Sequence, residues 1–204
     1  MNIAEKLQTI AENESKVYKA GQEAGQKAER DNFWDVFQNY GNTRNYYQAF
    51  SYDKFTDETY NPKYDIRCSE GTTPAQNMFY SATKITDTKV AIYANARDLS
   101  SAFGMSGLKT IRKLHVYEST IFYNTFSGCY HLENLTIDGV IGQNGFDVHW
   151  STKLTHDSLI SIIEHLADKS NESGTWTVTL GSDNKNKLTD DEIAIAEAKG
   201  WDVA

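Results

Sequence analysis

Histidine is the residue type whose placement in this sequence most directly raises a metal-binding hypothesis. All five histidines lie between His115 and His165, and imidazole is a common ligand of zinc and other transition metals. No two of them have the short spacing by which a helix or a hairpin presents a ligand pair, and Cys129 is the one cysteine in that stretch. We therefore expect no metal site and no other cofactor.

Motifs for catalysis are equally sparse. The glycine-containing stretch 104–107 lacks the lysine and the spacing of a phosphate-binding loop. No G-x-S-x-G pattern and no Cys/His nucleophile signature occurs. Asp183, Asp190 and Asp191 share the composition of a Ca²⁺ loop but not its spacing. The sequence predicts a non-enzymatic protein, with a glycan-active enzyme as the distant alternative.

Charge and composition exclude further classes of partner. The formal net charge is −8, whereas nucleic-acid binding relies on clustered Lys and Arg, so we expect no nucleic-acid partner. Two cysteines imply no disulfide framework. No apolar stretch has the length of a membrane span, and residues 1–8 do not resemble a secretory signal. We expect a protein that is made in the cytoplasm and does not insert into a membrane.

The elements that would position functional side chains come from a repeated phrase between residues 102 and 137. The phrase is a phenylalanine followed by the pattern aliphatic-x-x-aliphatic-x-aliphatic, and it occurs at 103–116 and again at 126–137. Alignment of Val116 with Ile137 gives an offset of 21 residues. A period in the twenties with this spacing is typical of a leucine-rich repeat. The sequence thus predicts an α/β fold built as a short leucine-rich-repeat-like solenoid.

Residues between the buried positions of the predicted strands should face away from the core. They form a polar and aromatic surface, from which we select five candidate ligand-binding residues: Tyr93, His115, Tyr117, Thr136 and Asp138. Such a composition suits the binding of protein or glycan. It also suits a solvated sheet face without a ligand, and the sequence does not separate the two interpretations.

The second copy of the phrase resembles a known family. It reads Phe126-Ser-Gly-Cys129-x-x-Leu132-x-x-Leu135-x-Ile137. This pattern is similar to the BspA-like leucine-rich repeats of bacterial surface and phage-associated proteins, which read A-F-x-x-C-x-x-L-x-x-I-x-I. The first copy departs from it, because it lacks the cysteine and carries extra residues at 104–107.

The two ends of the chain carry the same resemblance. Residues 4–21 and 188–201 are similar to the leader and the end of leucine-rich-repeat proteins from prophages of gut Firmicutes and clostridia. The resemblance implies a phage or prophage tail-associated or host-surface-binding accessory protein, associated with the virion, that contacts a protein or glycan on a bacterial surface. The alternative is a bacterial surface or intracellular protein-interaction module.

Residues 1–40 predict a helix with a heptad seam of apolar or small residues. The seam consists of Ile3, Leu7, Ile10, Val17, Gly21, Ala24 and Ala28. Glycines weaken an isolated helix by about 1 kcal/mol each, so this helix should need a partner. We interpret it as a coiled-coil stalk that forms a homo-oligomer; a monomeric helix packed on its own domain is the alternative.

The rest of the chain divides at residue 79. Residues 41–78 are rich in aromatic side chains, which we interpret as a cover for the open end of the repeat domain, with a carbohydrate-binding platform as the alternative. Within this segment the polar stretch 65–74 predicts a loop. Residues 79–204 form the predicted repeat domain. It closes with a helix from about residue 155, a strand at 175–181 and a helix that opens on the capping-box sequence 189–192.

Overall fold

The computed structural model describes residues 45–71, 73–95 and 97–204. The predicted N-terminal helix and its proposed role in oligomerisation lie outside the described residues. The same holds for every residue of its seam: Ile3, Leu7, Ile10, Val17, Gly21, Ala24 and Ala28.

Four strands form one parallel sheet in the order in which they occur along the chain. They are β1 (Ile66–Arg67), β2 (Ile92–Tyr93), β3 (Thr110–Val116) and β4 (Asn134–Gly139). Parallel neighbours cannot be joined by a tight hairpin. Each strand is therefore followed by a long connection that returns the chain to the same end of the sheet.

One row of aliphatic side chains runs across the buried side of this sheet. Ile66 pairs with Ile92, Ile92 with Leu114, and Leu114 with Ile137. All four are at most 2% exposed. The alternation along each strand places their neighbours on the opposite, accessible face.

The register between β3 and β4 differs from the 21-residue offset that the sequence alignment indicates. Val116 pairs with Gly139, not with Ile137, because the register shifts between Ile111 and Leu114. Such a shift inserts one extra residue into one strand of a pair. The aliphatic-x-x-aliphatic spacing of β3 therefore lies within the strand and not on the turn that precedes it.

The stretch 65–74, predicted as a loop, contains strand β1. The backbone amide of Ile66 donates to Ala91 O at 2.9 Å, and the amide of Cys68 donates to Tyr93 O at 2.9 Å. Ile66 and Cys68 are both fully buried. Two residues are too short a segment to show a strand period, so the prediction of a loop was wrong at this point.

The connections hold a phenylalanine column in the core. Its members are Phe50, Phe79, Phe103, Phe126 and Phe146, all fully buried. In that order the neighbouring ring centroids lie 4.8, 5.8, 5.6 and 5.4 Å apart. Close aromatic pairs contribute about 0.5–1.5 kcal/mol beyond the burial of their area. The column begins inside the aromatic segment 41–78.

A second ladder of backbone hydrogen bonds follows the column. The amide of Phe79 donates to Ala102 O at 2.6 Å, and the amide of Phe103 donates to Thr125 O at 3.0 Å. Residues with positive φ stand on both sides of the column residues; Ser101 and Met105, both at φ 54°, flank Phe103. The connections therefore stack through their backbones as well as through their rings.

The C-terminal part supplies three helices and two strands. They are α1 (His156–Glu164), β5 (Trp176–Val178), α2 (Ser182–Lys185), α3 (Asp190–Ala198) and β6 (Trp201–Val203). Strands β5 and β6 pair in parallel as a separate two-stranded sheet. The capping box that the sequence predicts is present: Thr189 N donates to Glu192 Oε2 at 2.8 Å, and Glu192 N donates to Thr189 Oγ1 at 3.3 Å.

Helix α1 covers the open edge of β4. The amide of Leu135 donates to Ser158 Oγ at 2.9 Å, and the amide of Ile137 donates to Ser161 Oγ at 2.9 Å. Exposed strand edges invite pairing with another chain. The two serines satisfy the donors of this edge, which explains why the sheet ends at β4.

Candidate functional site

Four side chains from four strands meet in one row on the accessible face of the sheet. This sheet-face row is Arg67, Tyr93, His115 and Asp138, which are direct register partners across the sheet. The Arg67 guanidinium lies 4.0 Å from the centroid of the Tyr93 ring, a cation–π contact. The Tyr93 and His115 rings are 5.4 Å apart. His115 Nδ1 lies 2.9 Å from Asp138 Oδ2.

Asp138 is the negative end of the row. Its Oδ2 also contacts Lys113 Nζ at 3.0 Å. Hydrogen bonds from His115 and Lys113 lower the pKa of the Asp138 carboxyl. The hydrogen bond to Asp138 and its charge raise the pKa of Lys113. Both groups are thereby held in their charged forms at neutral pH.

Tyr117 extends this surface beyond the end of β3. Its ring lies 4.9 Å from the His115 ring in an edge-on arrangement, and its hydroxyl donates to Asn95 Oδ1 at 2.8 Å. The side chain is still 45% exposed. Tyr117 thus forms a fixed aromatic wall with one open side.

A cleft of about 740 Å³ adjoins Tyr117. It is lined by Glu70, Gly71, Asn95, Arg97, Tyr117, Ser119 and Thr120. These residues follow the carboxyl ends of β1, β2 and β3, the edge at which parallel α/β sheets commonly bind ligands. The amide of Arg97 donates to Gly71 O at 3.0 Å, and Arg97 O accepts from Ile121 N at 2.8 Å. The cleft combines one carboxylate, one guanidinium and several hydroxyl groups.

The structure brings four of the five predicted site residues into this surface. Tyr93, His115 and Asp138 belong to the sheet-face row, and Tyr117 lies against it. Thr136 is exposed on β4, two residues before Asp138, and takes no part in the row.

Sequence reasoning missed three polar contributors to this surface. They are Arg67 on β1, and Asn95 and Arg97 in the connection after β2. Arg67 was missed because β1 was not recognised. Asn95 lies two residues after Tyr93, so the continued alternation of β2 was the available signal for it.

The remaining histidines are distributed among separate contacts. His149 Nδ1 lies 2.6 Å from Asp147 Oδ1, and His156 Nε2 lies 2.9 Å from Glu192 Oε1. Within the described ranges, no group of three or more His, Cys, Asp or Glu side chains is placed to hold one metal ion.

Both cysteine thiols are buried in the core. Burial raises the pKa of Cys68 and of Cys129 to about 12. The Cys129 thiol donates to Phe103 O, with the two atoms 3.0 Å apart. A thiol held protonated in this way is a poor nucleophile, so neither cysteine contributes chemistry to the surface.

Two broader comparisons complete the description of the site. In the part of the chain that the structure describes, no helix combines the length and the apolar character needed to cross a membrane. The protein-family models, the curated proteins and the solved structures with which the chain was compared contain no match to it.

Proposed function

We propose that this chain is a non-enzymatic binding protein whose recognition surface is the accessible face of the four-stranded sheet. The observation that carries the proposal is the sheet-face row, Arg67, Tyr93, His115 and Asp138. Each strand contributes one member, and each member contacts the next. A surface whose side chains are held by one another loses little side-chain entropy on binding.

The charges of the row support binding more than acid–base catalysis. A general acid needs a pKa near the working pH, which for a carboxyl group means a raised value. The pKa of Asp138 is instead lowered by His115 and Lys113, and that of Lys113 is raised. Fixed charges of this kind suit electrostatic recognition of a partner.

The proposed architecture is a short leucine-rich-repeat-like solenoid of the BspA-like type. Its support is the spacing of equivalent residues: Leu114 pairs with Ile92, 22 residues earlier, and with Ile137, 23 residues later. The phenylalanine column adds a second series with one ring in each connection. Stacked units of 20–29 residues with one strand each are the pattern of such repeats.

The proposed setting rests on the sequence resemblance. We place the protein among phage or prophage tail-associated or host-surface-binding accessory proteins, made in the cytoplasm and carried on a virion. Its partner would be a protein or glycan on a bacterial surface. A homo-oligomer formed through residues 1–40 would present several sheet faces at once, and multivalency raises avidity without any new contact.

A cell-binding assay tests this function. Fluorescently labelled full chain is titrated onto cells of a panel of gut Firmicutes, beside the double variant Tyr93→Ala/His115→Ala and the control variant Ile195→Ala on exposed α3. We expect saturable binding to at least one strain, a loss of tenfold or more in the double variant, and affinity within twofold of wild type in the control.

Treatment of the cells then separates the two classes of partner. Protease should abolish binding to a protein partner, and periodate should abolish binding to a glycan. Absence of saturable binding on every strain, or equal binding by the double variant, overturns the proposed function. Thermal unfolding of each variant establishes that the exposed substitutions leave the fold intact.

A further inference from the structure

A second cleft lies away from the sheet-face row, on the connections that carry the phenylalanine column. Its volume is about 240 Å³, and it is lined by Tyr123, Asn124, Ser127, Gly145, Asp147, His149, Trp150 and Thr179. We call it the Trp150 cleft. None of these residues belongs to the surface described above.

The segment that carries Trp150 is anchored at both ends. Phe146 and Val148 are fully buried. The amide of Val148 donates to Thr179 O at 2.9 Å, and the amide of Thr179 donates to Phe146 O at 3.0 Å. Trp150 is nevertheless 42% exposed. A large aromatic side chain held in solvent by a rigid backbone is a mark of a binding surface.

Aromatic side chains accompany Trp150 at the cleft. The Tyr130 ring lies 5.6 Å from the indole in an edge-on arrangement, and the His149 ring lies 4.4 Å from it. Tyr123, which also lines the cleft, is 68% exposed. The cleft thus offers accessible aromatic surface whose orientation is already set by neighbouring rings.

Polar groups stand beside these rings. Asp147 Oδ1 accepts a hydrogen bond from the backbone amide of His149 at 3.0 Å and lies 2.6 Å from His149 Nδ1. Both contacts use the same carboxylate oxygen, which leaves Oδ2 to accept from a ligand. The ring contact occupies Nδ1 and leaves His149 Nε2 for a second hydrogen bond. Asn124 adds a side-chain amide.

We infer that the Trp150 cleft binds a neutral saccharide. A pyranose ring has an apolar face of C–H groups, which packs on aromatic rings, and a rim of hydroxyl groups, which bond to carboxylate, amide and imidazole groups. The cleft is smaller than the roughly 300–1,000 Å³ of sites for drug-sized ligands, so it suits one or two sugar rings. An acidic chain with a carboxylate at the cleft disfavours a polyanion.

The test uses the full chain and three neutral trisaccharides: cellotriose, mannotriose and tri-N-acetylchitotriose. Saturation-transfer-difference NMR reports binding of each. We expect at least one of them to bind to wild type. Trp150→Ala should weaken that affinity tenfold or more, while the control variant Tyr52→Ala, which removes an exposed tyrosine outside the cleft, should bind within twofold of wild type.

A second variant keeps the inference testable if Trp150→Ala unfolds. Asp147→Asn preserves the shape of the side chain but weakens its acceptor, and it should lower the affinity by a factor of about three to ten. Absence of a saturation-transfer signal from all three trisaccharides, at concentrations on the order of 10 mM, overturns the inference. Unchanged affinity in both variants overturns it as well.

The Trp150 cleft and the proposed function of the sheet face fail separately. The double variant Tyr93→Ala/His115→Ala should bind the trisaccharide as wild type does. Loss of trisaccharide binding in that variant would overturn the assignment of the saccharide to the Trp150 cleft.

Discussion

His115 Nδ1 lies 2.9 Å from Asp138 Oδ2, although the two residues are 23 positions apart in the chain. They are direct partners in neighbouring parallel strands. Their neighbours Leu114 and Ile137 are also partners and face the core. One strand pairing therefore builds both a core row and a surface row, and the surface row can vary without disturbing the core.

The ion pair at the end of the sheet-face row should make stability depend on pH. The lowered pKa of Asp138 means that its contribution is fully present above the ordinary aspartate pKa of about 3.9 and is lost as the pH falls through the lowered folded value. Asp138→Asn should lower the free energy of unfolding at pH 7 by about 1 kcal/mol or less, because the side chain is 35% exposed and solvent screens the pair.

Urea unfolding of wild type and Asp138→Asn at pH 7 and at about pH 2 measures this dependence. The difference between the two chains should shrink at the lower pH. Asp202→Asn, at an exposed position of β6, is the control and should show no such change. A difference of equal size at both pH values would contradict the assigned direction of the pKa shift.

The phenylalanine column should carry a large share of the stability of the described fold. Phe103 is fully buried, with the Phe79 and Phe126 ring centroids 5.8 and 5.6 Å away. Phe103→Ala should lower the free energy of unfolding by about 3–5 kcal/mol, because it removes ring contacts on both sides and leaves a cavity. Tyr123→Ala, in an exposed tyrosine two connections away from none of these rings' packing, should stay within about 0.5 kcal/mol of wild type. Urea unfolding at pH 7 compares the three chains, and similar losses in both variants would refute a structural role for the column.

Sequence patterns predicted strands where a strand was long enough to show a period. Strands β3 and β4 have 7 and 6 residues and alternate between buried and accessible positions. Strand β1 has two residues, so no alternation was available to mark it. The bulge in β3 was also invisible, because one inserted residue leaves the aliphatic spacing looking like that of a turn followed by a strand.

The same limit applies to the candidate sites. His115 and Asp138 were selected because they lie between buried positions of a recognisable strand. Trp150 and Asp147 lie in a connection, where hydrogen bonds to a distant segment and not periodicity set the direction of each side chain. Only the fold brings Tyr123 to the same cleft as these residues.

The heptad seam of residues 1–40 predicts that the full chain is an oligomer. Light scattering should give a multiple of the chain mass for the full chain and the monomer mass for a chain that starts at Asp31. Val17→Glu places a charge on the seam and should also yield the monomer. Gln26→Glu, a similar change at an outward heptad position, should leave the oligomer intact. A monomeric full chain would refute the stalk.

Gly139 and Gly145 form a matched pair for testing close backbone approach. Both have positive φ, 91° and 93°. A Cβ atom at Gly139 would overlap Val116 O, the acceptor of the Val140 amide at 3.1 Å, whereas a Cβ atom at Gly145 would meet no atom within 4 Å. Left-handed backbone costs a residue with a side chain roughly 1–2 kcal/mol.

Gly145→Ala should therefore lower the free energy of unfolding by about 1–2 kcal/mol, which is the backbone term alone. Gly139→Ala should lose more than about 3 kcal/mol, because the clash pushes the end of β4 away from β3 in addition. Urea unfolding measures both, and a Gly139→Ala chain that is unfolded without urea counts as the larger loss. Equal losses would mean that the two strands can separate at Gly139 without penalty, in conflict with the pairing of Val116 and Gly139.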